Sequence, residues 1–400
     1  MMPTDVVVIG GGVIGSCITY YLSKVNMKVT MIERAELASE ASGANQGGWS
    51  AQLMRGRIMN FARDGSNTYE ALADELQYDF EFDRVGTYML LDNEDQWPAV
   101  EENAKRLQRE YQMNTTLLSG KDLRDINPDL APDIPGACFC PHAHLLNPMK
   151  LVFGFAQASQ KLGAEIQAFT EVKKISVDNS KINSVITNRG EIRTRLVVIA
   201  AGAWASQIAA MLKLQVPIRP RRGQLLVTES FPLQKTRYMI EAEQLNALSP
   251  EAIRNAKDPI TRQGIVTVLS QPRSGNWLVG SSRDFPGYDK RTTIETMALI
   301  AKRALRYFPK LRHANVVRTF AGLRPYSEDD HPIIDMVDEI DGLILATGHH
   351  GEGVSLAPVT AKLVTELAKK GRGAEYIEEF SYNRFKDHLL VEEDLLRRGS

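Results

Sequence analysis

The sequence predicts an α/β protein of two interleaved lobes. One is built on a glycine-turn βαβ unit, the other is an α+β lobe on a mostly antiparallel sheet. Three observations carry this expectation. First, the run Asp5-Val6-Val7-Val8-Ile9 enters Gly10-Gly11-Gly12-Val13-Ile14-Gly15. An amphipathic stretch follows, then the apolar run Lys28-Val29-Thr30-Met31-Ile32, which stops at Glu33. Second, the strand–glycine–helix theme returns at residues 196–212 and again at 342–370. Third, no low-complexity linker, Pro/Ser-rich hinge or repeat separates the β-rich blocks between them. Two lobes must therefore interleave. Residues 1–80, 146–225 and 316–400 are expected in the first, and 81–145 with 226–315 in the second.

The opening unit has the parts needed to hold a dinucleotide. Gly10 permits a tight turn, Gly12 lets backbone approach a pyrophosphate, and Gly15 lets the helix pack on the sheet. The helix N-terminus offers free N–H groups and partial positive charge to phosphate. Glu33, 18 residues beyond Gly15, can accept ribose hydroxyls. Its charge would repel a 2′-phosphate, which leaves FAD or NAD. A glycine turn alone is weak evidence, but here the strand, helix and acid supply its required context.

Further elements follow in chain order. Residues 39–50 read as a polar, glycine-rich loop, 63–76 as a helix, 85–91 as a strand and 97–111 as a charged surface helix. Asn147-Pro148 reads as a helix start, an Asn cap followed by Pro in the first turn, with the helix running to about residue 162. Strands are expected at 171–177, 181–188 and 196–200, and a helix at 203–212. A second β-rich block covers 224–228, 264–271 and 277–280, followed by a helix at 292–308. The chain then gives a strand at 342–347, a loop at 348–353 and a helix at 354–370.

Composition narrows the function classes. The 400 residues carry 48 basic and 49 acidic side chains, for a net charge of −1. No broad field would draw nucleic acid or an anionic membrane, so modification of an amine on RNA is disfavoured. The longest apolar run, residues 196–205, is about half a membrane span. The glycine motif begins by residue 10 with no charged n-region and apolar h-region before it, so a secretory signal is not expected. Three cysteines do not make a disulfide framework. A cytoplasmic protein is expected, peripheral to a membrane only through partners.

FAD is favoured over NAD by three segments outside the opening unit. Ala41-Ser42-Gly43-Ala44-Asn45-Gln46-Gly47-Gly48 would let backbone approach a flat ring. Ile199-Ala200-Ala201-Gly202-Ala203 is a strand end suited to an adenine or ribityl chain. Gly348-His349-His350-Gly351-Glu352-Gly353 opens a long helix whose N-terminus could face the pyrimidine edge of a flavin.

With residues 7–33, 42–48, Asn147-Pro148, 197–204, Gly223-Gln224, 321–326, 330–334 and 346–358, these segments appear in family order over nearly the whole chain. The chain resembles the glycine oxidase/D-amino-acid oxidase flavoproteins, which include sarcosine oxidases and β-type subunits of bacterial amine dehydrogenases. The resemblance implies a Rossmann-like FAD-binding domain and oxidation of a C–N bond. Hydride passes from the α-carbon to flavin N5 and the imine then hydrolyses. It implies Arg324, in Gly322-Leu323-Arg324-Pro325, as the carboxylate clamp, with His349 and Tyr326 also catalytic. It implies cofactor contacts from Gly10, Gly12, Val13, Ile14, Gly15, Glu33 and Arg34, and from Ser42, Gly43, Ala44, Asn45, Gln46, Gly47 and Gly48. Val172, Ala201, Gly202, Trp204, Gly322 and Arg324 join them, as do His350, Gly351, Glu352, Gly353 and Val354.

Two departures matter. The strand at 264–271 has no Tyr to assist a carboxylate, so the substrate is not transferable from relatives. No Cys lies between Arg318 and Asp330 and no His between Ser39 and Ser50, so FAD is expected to be dissociable. Arg55, Arg57, Arg222 and Arg283 lie near glycine-rich or strand-end segments. One could hold a second carboxylate, although most arginines are solvated or structural ions.

Cys138, Cys140, His142 and His144 alternate as metal ligands on one strand face could. Four such positions span ~20 Å, against metal–ligand bonds of ~2 Å. No metal site is expected. The partners expected are a small amino-acid or amine substrate, with iron–sulfur or second flavoprotein subunits or a homo-oligomer besides. The competing reading is a flavin-carrying relay or scaffold subunit without its own substrate turnover.

Overall fold

The computed structural model describes residues 4–233, 237–246, 255–373 and 378–385. Its first layer is a six-stranded sheet in the order Ile333–Met336, Leu343–Thr347, Leu196–Ile199, Val6–Ile9, Val29–Ile32, Glu165–Gln167. All neighbours are parallel except the first pair. The strands are nearly continuous apolar runs because both faces are covered. Val6 and Val8 pack with helices Val13–Lys24, Pro148–Lys161 and Gly353–Lys370 on one face. Val7 and Ile9 pack into a second core under the three-stranded sheet Val172–Asp178, Lys181–Thr187, Gly190–Arg193. Alternation along a strand is what sends neighbouring valines to opposite cores.

The opening unit forms as expected, with strand Val6–Ile9, helix Val13–Lys24 and strand Val29–Ile32. Asn147 caps helix Pro148–Lys161, its side-chain oxygen accepting from the Lys150 N–H at 3.2 Å. Helix Trp97–Tyr111 matches its expected bounds. The helix expected at 63–76 begins earlier, as Gly56–Leu76, and Gly48–Ser50 is a strand rather than loop. Helix Gly353–Lys370 contains Pro358, which cannot donate to the carbonyl of Val354. The Tyr69 hydroxyl, from helix Gly56–Leu76, donates to that carbonyl instead.

The larger sheet has eight strands, in the order Val316–Ser327, Ile218–Ser230, Asn276–Gly280, Val268–Ser270, Tyr238–Glu241, Thr87–Leu90, Gly136–Cys140, Thr116–Ser119. Only Tyr238–Glu241 against Thr87–Leu90 is a parallel pair. Helix Ile294–Tyr307 covers this sheet through Ile300, Ala304 and Tyr307, against Leu226, Trp277 and Val279. Residues 218–225 and 316–327 were assigned to the nucleotide lobe, but both run in the eight-stranded sheet. The two long strands bridge the layers and bring the larger sheet against the carboxyl ends of the parallel strands.

The cysteine–histidine run also folds differently from one straight strand. Cys138 and Cys140 are buried in Gly136–Cys140, the chain turns at Pro141-His142, and His144 lies in Ala143–Leu145 of a separate small sheet. His144 faces aromatic rings of Phe82, Trp49 and Tyr69, with Nδ1 2.8 Å from the Ser66 hydroxyl. The described residues hold no group of three or more His, Cys, Asp or Glu placed to bind a metal.

Candidate active site

A cleft of about 370 Å³ opens where the two layers meet. At one end it is walled by Gly10 and Gly12, by Ala200–Gly202 after strand Leu196–Ile199, and by Thr347 at the end of its parallel neighbour. These are the carboxyl ends of the parallel strands, where ligands of open α/β sheets bind. Gly10 has φ +119°, and a Cβ there would lie 2.5 Å from the Ala200 carbonyl oxygen. A Cβ on Gly15 would lie 1.9 Å from the carbonyl oxygen of Gly10, so helix and turn touch through backbone. Gly15 therefore shapes the cleft without lining it.

The polar groups of this end largely satisfy one another. Glu33 accepts from the Gly11 N–H at 2.8 Å and from the Ala35 N–H at 2.9 Å, while its carboxylate still borders the cleft. Ser42 accepts from the Val13 N–H at 2.9 Å. Arg34 stacks 4.0 Å above the ring of Trp204 and pairs with Glu40 at 3.0 Å. Val13, Ile14, Arg34, Val172, Ala201, Gly202 and Trp204 all line this part.

The 42–48 segment joins the two layers. Asn45 donates to the carbonyls of Ala41 and Ser42 and accepts from the Gly47 N–H, which fixes the loop's shape. Gln46 donates to the Val268 and Leu278 carbonyls at 2.8 and 3.0 Å, which ties the loop to the larger sheet. Ser42, Ala44, Asn45, Gln46, Gly47 and Gly48 line the cleft. Gly43 does not, since its Cβ position lies 2.1 Å from the Ala38 carbonyl oxygen. Gly351, Gly353 and Val354, where helix Gly353–Lys370 begins, complete the wall. First-turn N–H groups have no partner within a helix, so this end offers donors to a ligand. Glu352 caps that helix from outside the lining, and burial pushes its carboxyl up.

At the other end stands Arg324, on strand Val316–Ser327. It donates to the Ser281 hydroxyl at 2.9 Å and the Ser282 carbonyl at 3.3 Å. Among the described residues it has no ion-pair partner. Burial, reinforced by the charge of Arg221, pushes its guanidinium down to about 10. Gly322 brings the strand against the 42–48 loop, its Cβ position being 2.6 Å from the Ala44 carbonyl oxygen. Gly223 makes room for the guanidinium, which a Cβ would approach to 2.4 Å.

The histidines and Tyr326 fall differently from expectation. His349 lines the cleft, but its Nε2 lies 2.9 Å from the Thr360 hydroxyl. Burial pushes it down to about 3, so it is neutral at ordinary pH. His350 also lines the cleft, and its Nε2 accepts from Arg221 at 2.9 Å, which leaves its proton on Nδ1. Tyr326 does not line the cleft; its ring packs against His350, Phe285 and Arg221.

Sequence reasoning missed Tyr238. The strand at 264–271 indeed has no Tyr, but its neighbour supplies one, with Tyr238 opposite Ser270. Tyr238 lines the cleft, its ring filling the place a Cβ on Gly48 would take, and no described residue bonds its hydroxyl. Of the other arginines considered, Arg283 lines the cleft. Arg222 is held by Asp284 through two contacts, at 3.1 and 2.5 Å. Arg55 is exposed, and Arg57 is exposed and pairs with Glu379 at 3.3 Å.

Comparison with known proteins agrees with this geometry. Residues 5–367 match the family described as FAD dependent oxidoreductase, DAO. The glycine oxidase of Pseudomonas aeruginosa is 30% identical, over 92% of this chain and 95% of its own. The hydrogen cyanide synthase subunit HcnC of Pseudomonas protegens is 25% identical, over 95% of this chain and 96% of its own. The crystal structure of glycine oxidase from Geobacillus kaustophilus superposes with a TM-score of 0.84 at 25% identity, covering 95% of this chain and 98% of that one. A glycine-walled cleft at the strand ends, bordered by an acid and two helix N-termini, has the shape and donors that FAD requires. The chain belongs to the DAO family of FAD dependent oxidoreductases.

Proposed function

We propose that the chain oxidises the C–N bond of a small amino acid or secondary amine bearing a carboxylate, as an oxidase or as the catalytic subunit of a dehydrogenase. The observation that carries this reading is Arg324, a guanidinium facing the cleft with only neutral partners among the described residues. Its planar fork suits bidentate recognition of a carboxylate. FAD supplies the two-electron acceptor for hydride leaving the carbon beside nitrogen. The nitrogen loses a proton, and water then adds to the imine to give the carbonyl product and the free amine.

The chain's own residues bind and orient. The glycine turn and the helix at Val13 receive the pyrophosphate, Glu33 the ribose, and Arg34, Val172 and Ala201–Trp204 the adenine end. The 42–48 loop, His350, Gly351, Gly353 and Val354 hold the ring system, dissociably, since no cysteine borders the cleft and the 39–50 loop has no histidine. Tyr238 reaches the substrate carboxylate from the wall that holds Arg324. His349, tied to Thr360 and neutral, shapes the pocket rather than moving a proton. The division into a nucleotide lobe and a substrate lobe is part of this reading, with the two bridging strands on the substrate side. No described helix is long and apolar enough to cross a membrane, and we place the chain in the cytoplasm.

A second reading rests on the relative described as a hydrogen cyanide synthase subunit. In it the chain relays electrons inside a larger assembly. Anaerobic mixing of the flavoprotein with carboxylated amines, followed by flavin absorbance, separates the two. Bleaching by at least one amine is expected. No bleaching by glycine, sarcosine, proline, iminodiacetate or either enantiomer of alanine and aspartate would favour the relay.

A further inference from the structure

The wall around Arg324 holds more positive charge than one carboxylate needs. Arg324 stands directly opposite Arg221 in the antiparallel register of the two bridging strands. Like charges facing each other across a strand pair are destabilising. Arg283 lines the same cleft, and the charges of Arg324 and Arg221 both act on it. All three guanidinium groups have neutral partners. Arg324 has the serines, Arg283 donates to the Gly264 carbonyl at 3.1 Å, and Arg221 donates to His350.

None of the three forms an ion pair among the described residues, and the Nε of buried Arg221 has no partner at all. A carboxylate is close at hand, but Asp284 is taken by Arg222. The acids whose charges act on Arg324 are Asp284 and, after it, Glu352, and burial disfavours the charged form of Glu352. Asp330 acts on Arg221 and Glu241 on Arg283 without a direct ion pair to either. Clustered, desolvated cations that lack a direct ion pair are costly to fold, and an anionic ligand at hydrogen-bond distance lowers that cost.

We propose that the substrate carries two carboxylates, with Arg324 holding the one on the oxidised carbon and Arg283 the other, while Arg221 orients His350 between them. This rests on the reading above that the cleft oxidises carboxylated amines. The second carboxylate can sit on the other arm of a secondary amine, as in an iminodiacid, or on the same arm, as in an acidic amino acid.

Matched pairs of amines distinguish these sources. Holoenzyme is mixed anaerobically with sarcosine and iminodiacetate, and with alanine and aspartate in both enantiomers, and flavin bleaching is followed. In one pair the dianion is expected to exceed its monoanionic match ~100-fold in kcat/KM, and Arg283→Gln to reduce that ratio below about tenfold. Arg283→Lys keeps the charge and should retain most of the ratio. Flavin content is measured for each variant. If Arg283→Gln does not hold FAD, the ratios for wild type and Arg283→Lys decide the matter. Equal bleaching by both members of each pair, or an Arg283→Gln loss shared equally by monoanion and dianion, overturns the second carboxylate site but leaves amine oxidation standing. Bleaching by none of the amines overturns both.

Discussion

The two ends of the cleft are built on opposite principles. At the glycine turn the side chains are largely met within the fold, as Glu33 is by the N–H groups of Gly11 and Ala35, Ser42 by that of Val13, and Arg34 by Glu40. At the arginine wall three cations arrive from separate stretches of chain, and none forms an ion pair among the described residues. The first end has its side chains paired as folded and receives its ligand by shape and by backbone N–H groups. The second is left short of negative charge, and a ligand completes it. Stability and function should therefore be lost together at the first end and come apart at the second.

The largest expected effect is at the second end. Arg324→Met removes the carboxylate clamp, and kcat/KM for the best amine should fall about 1000-fold. The same change removes a like charge facing Arg221, so the melting temperature of the ligand-free protein should not drop. A clear loss of stability would mean that Arg324 is structural and the contrast false. Gly15→Ala tests the other end. Its Cβ would sit 1.9 Å from the Gly10 carbonyl oxygen, so the helix must move off the turn. A loss of about 3 kcal/mol in urea unfolding, with a parallel loss of bound FAD, is expected. Normal stability with FAD lost would show that the turn, too, separates the two properties.

A third test asks whether the burial cost seen at the cleft also operates outside it. His349 in the cleft and His144 under the small sheet are each pushed down by burial to about 3, from an ordinary 6.5. Between those values the unfolded chain binds protons that the folded chain refuses. Stability must then rise with pH across the window and fall as pH drops below about 6.5. By pH 5 each histidine should cost about 2 kcal/mol. Urea unfolding at pH 5 and pH 7.5, in wild type and His144→Gln, measures it. The variant should lose less on acidification, and an unchanged acid loss would remove His144 from the account.

The same contrast explains what could be read from the sequence. The glycine turn, its helix and Glu33 lie within 33 residues, and each acts through backbone geometry that local spacing encodes. Helix Trp97–Tyr111 was legible for a similar reason, with Pro98 in its first turn and charged residues on its outer face. Helix Gly56–Leu76 was read seven residues short because Arg55, its cap residue, makes no side-chain cap bond to mark the start. The arginine wall was only half legible. Arg324 came from a family motif and Arg283 was one of four arginines considered for a second carboxylate, whereas Arg221 looks like an ordinary surface ion until the register places it opposite Arg324. Tyr238 was sought on the wrong strand, because which strand neighbours 268–270 is decided by sheet pairing. Tyr326 lies two residues from Arg324 on the same strand, but proximity in sequence did not disclose that His350 stands in front of it.

The smallest effect is the most specific to the arginine wall. Gly223 has no side chain, and the guanidinium of Arg324 occupies the space a Cβ would need. The obstructed atoms are the far end of a flexible side chain, so Gly223→Ala can be relieved by swinging the guanidinium aside. Folding should hardly register it, with less than about 0.5 kcal/mol in urea unfolding. The displaced fork would lose its bonds to Ser281 and Ser282 and its aim at the substrate. KM for the best amine should rise about tenfold, with a smaller change in kcat, because the lost contact serves ground state and transition state alike. A large drop in stability instead would mean that the guanidinium cannot move. The wall would then be as rigidly built as the glycine turn, and the two ends of the cleft would differ in charge but not in construction.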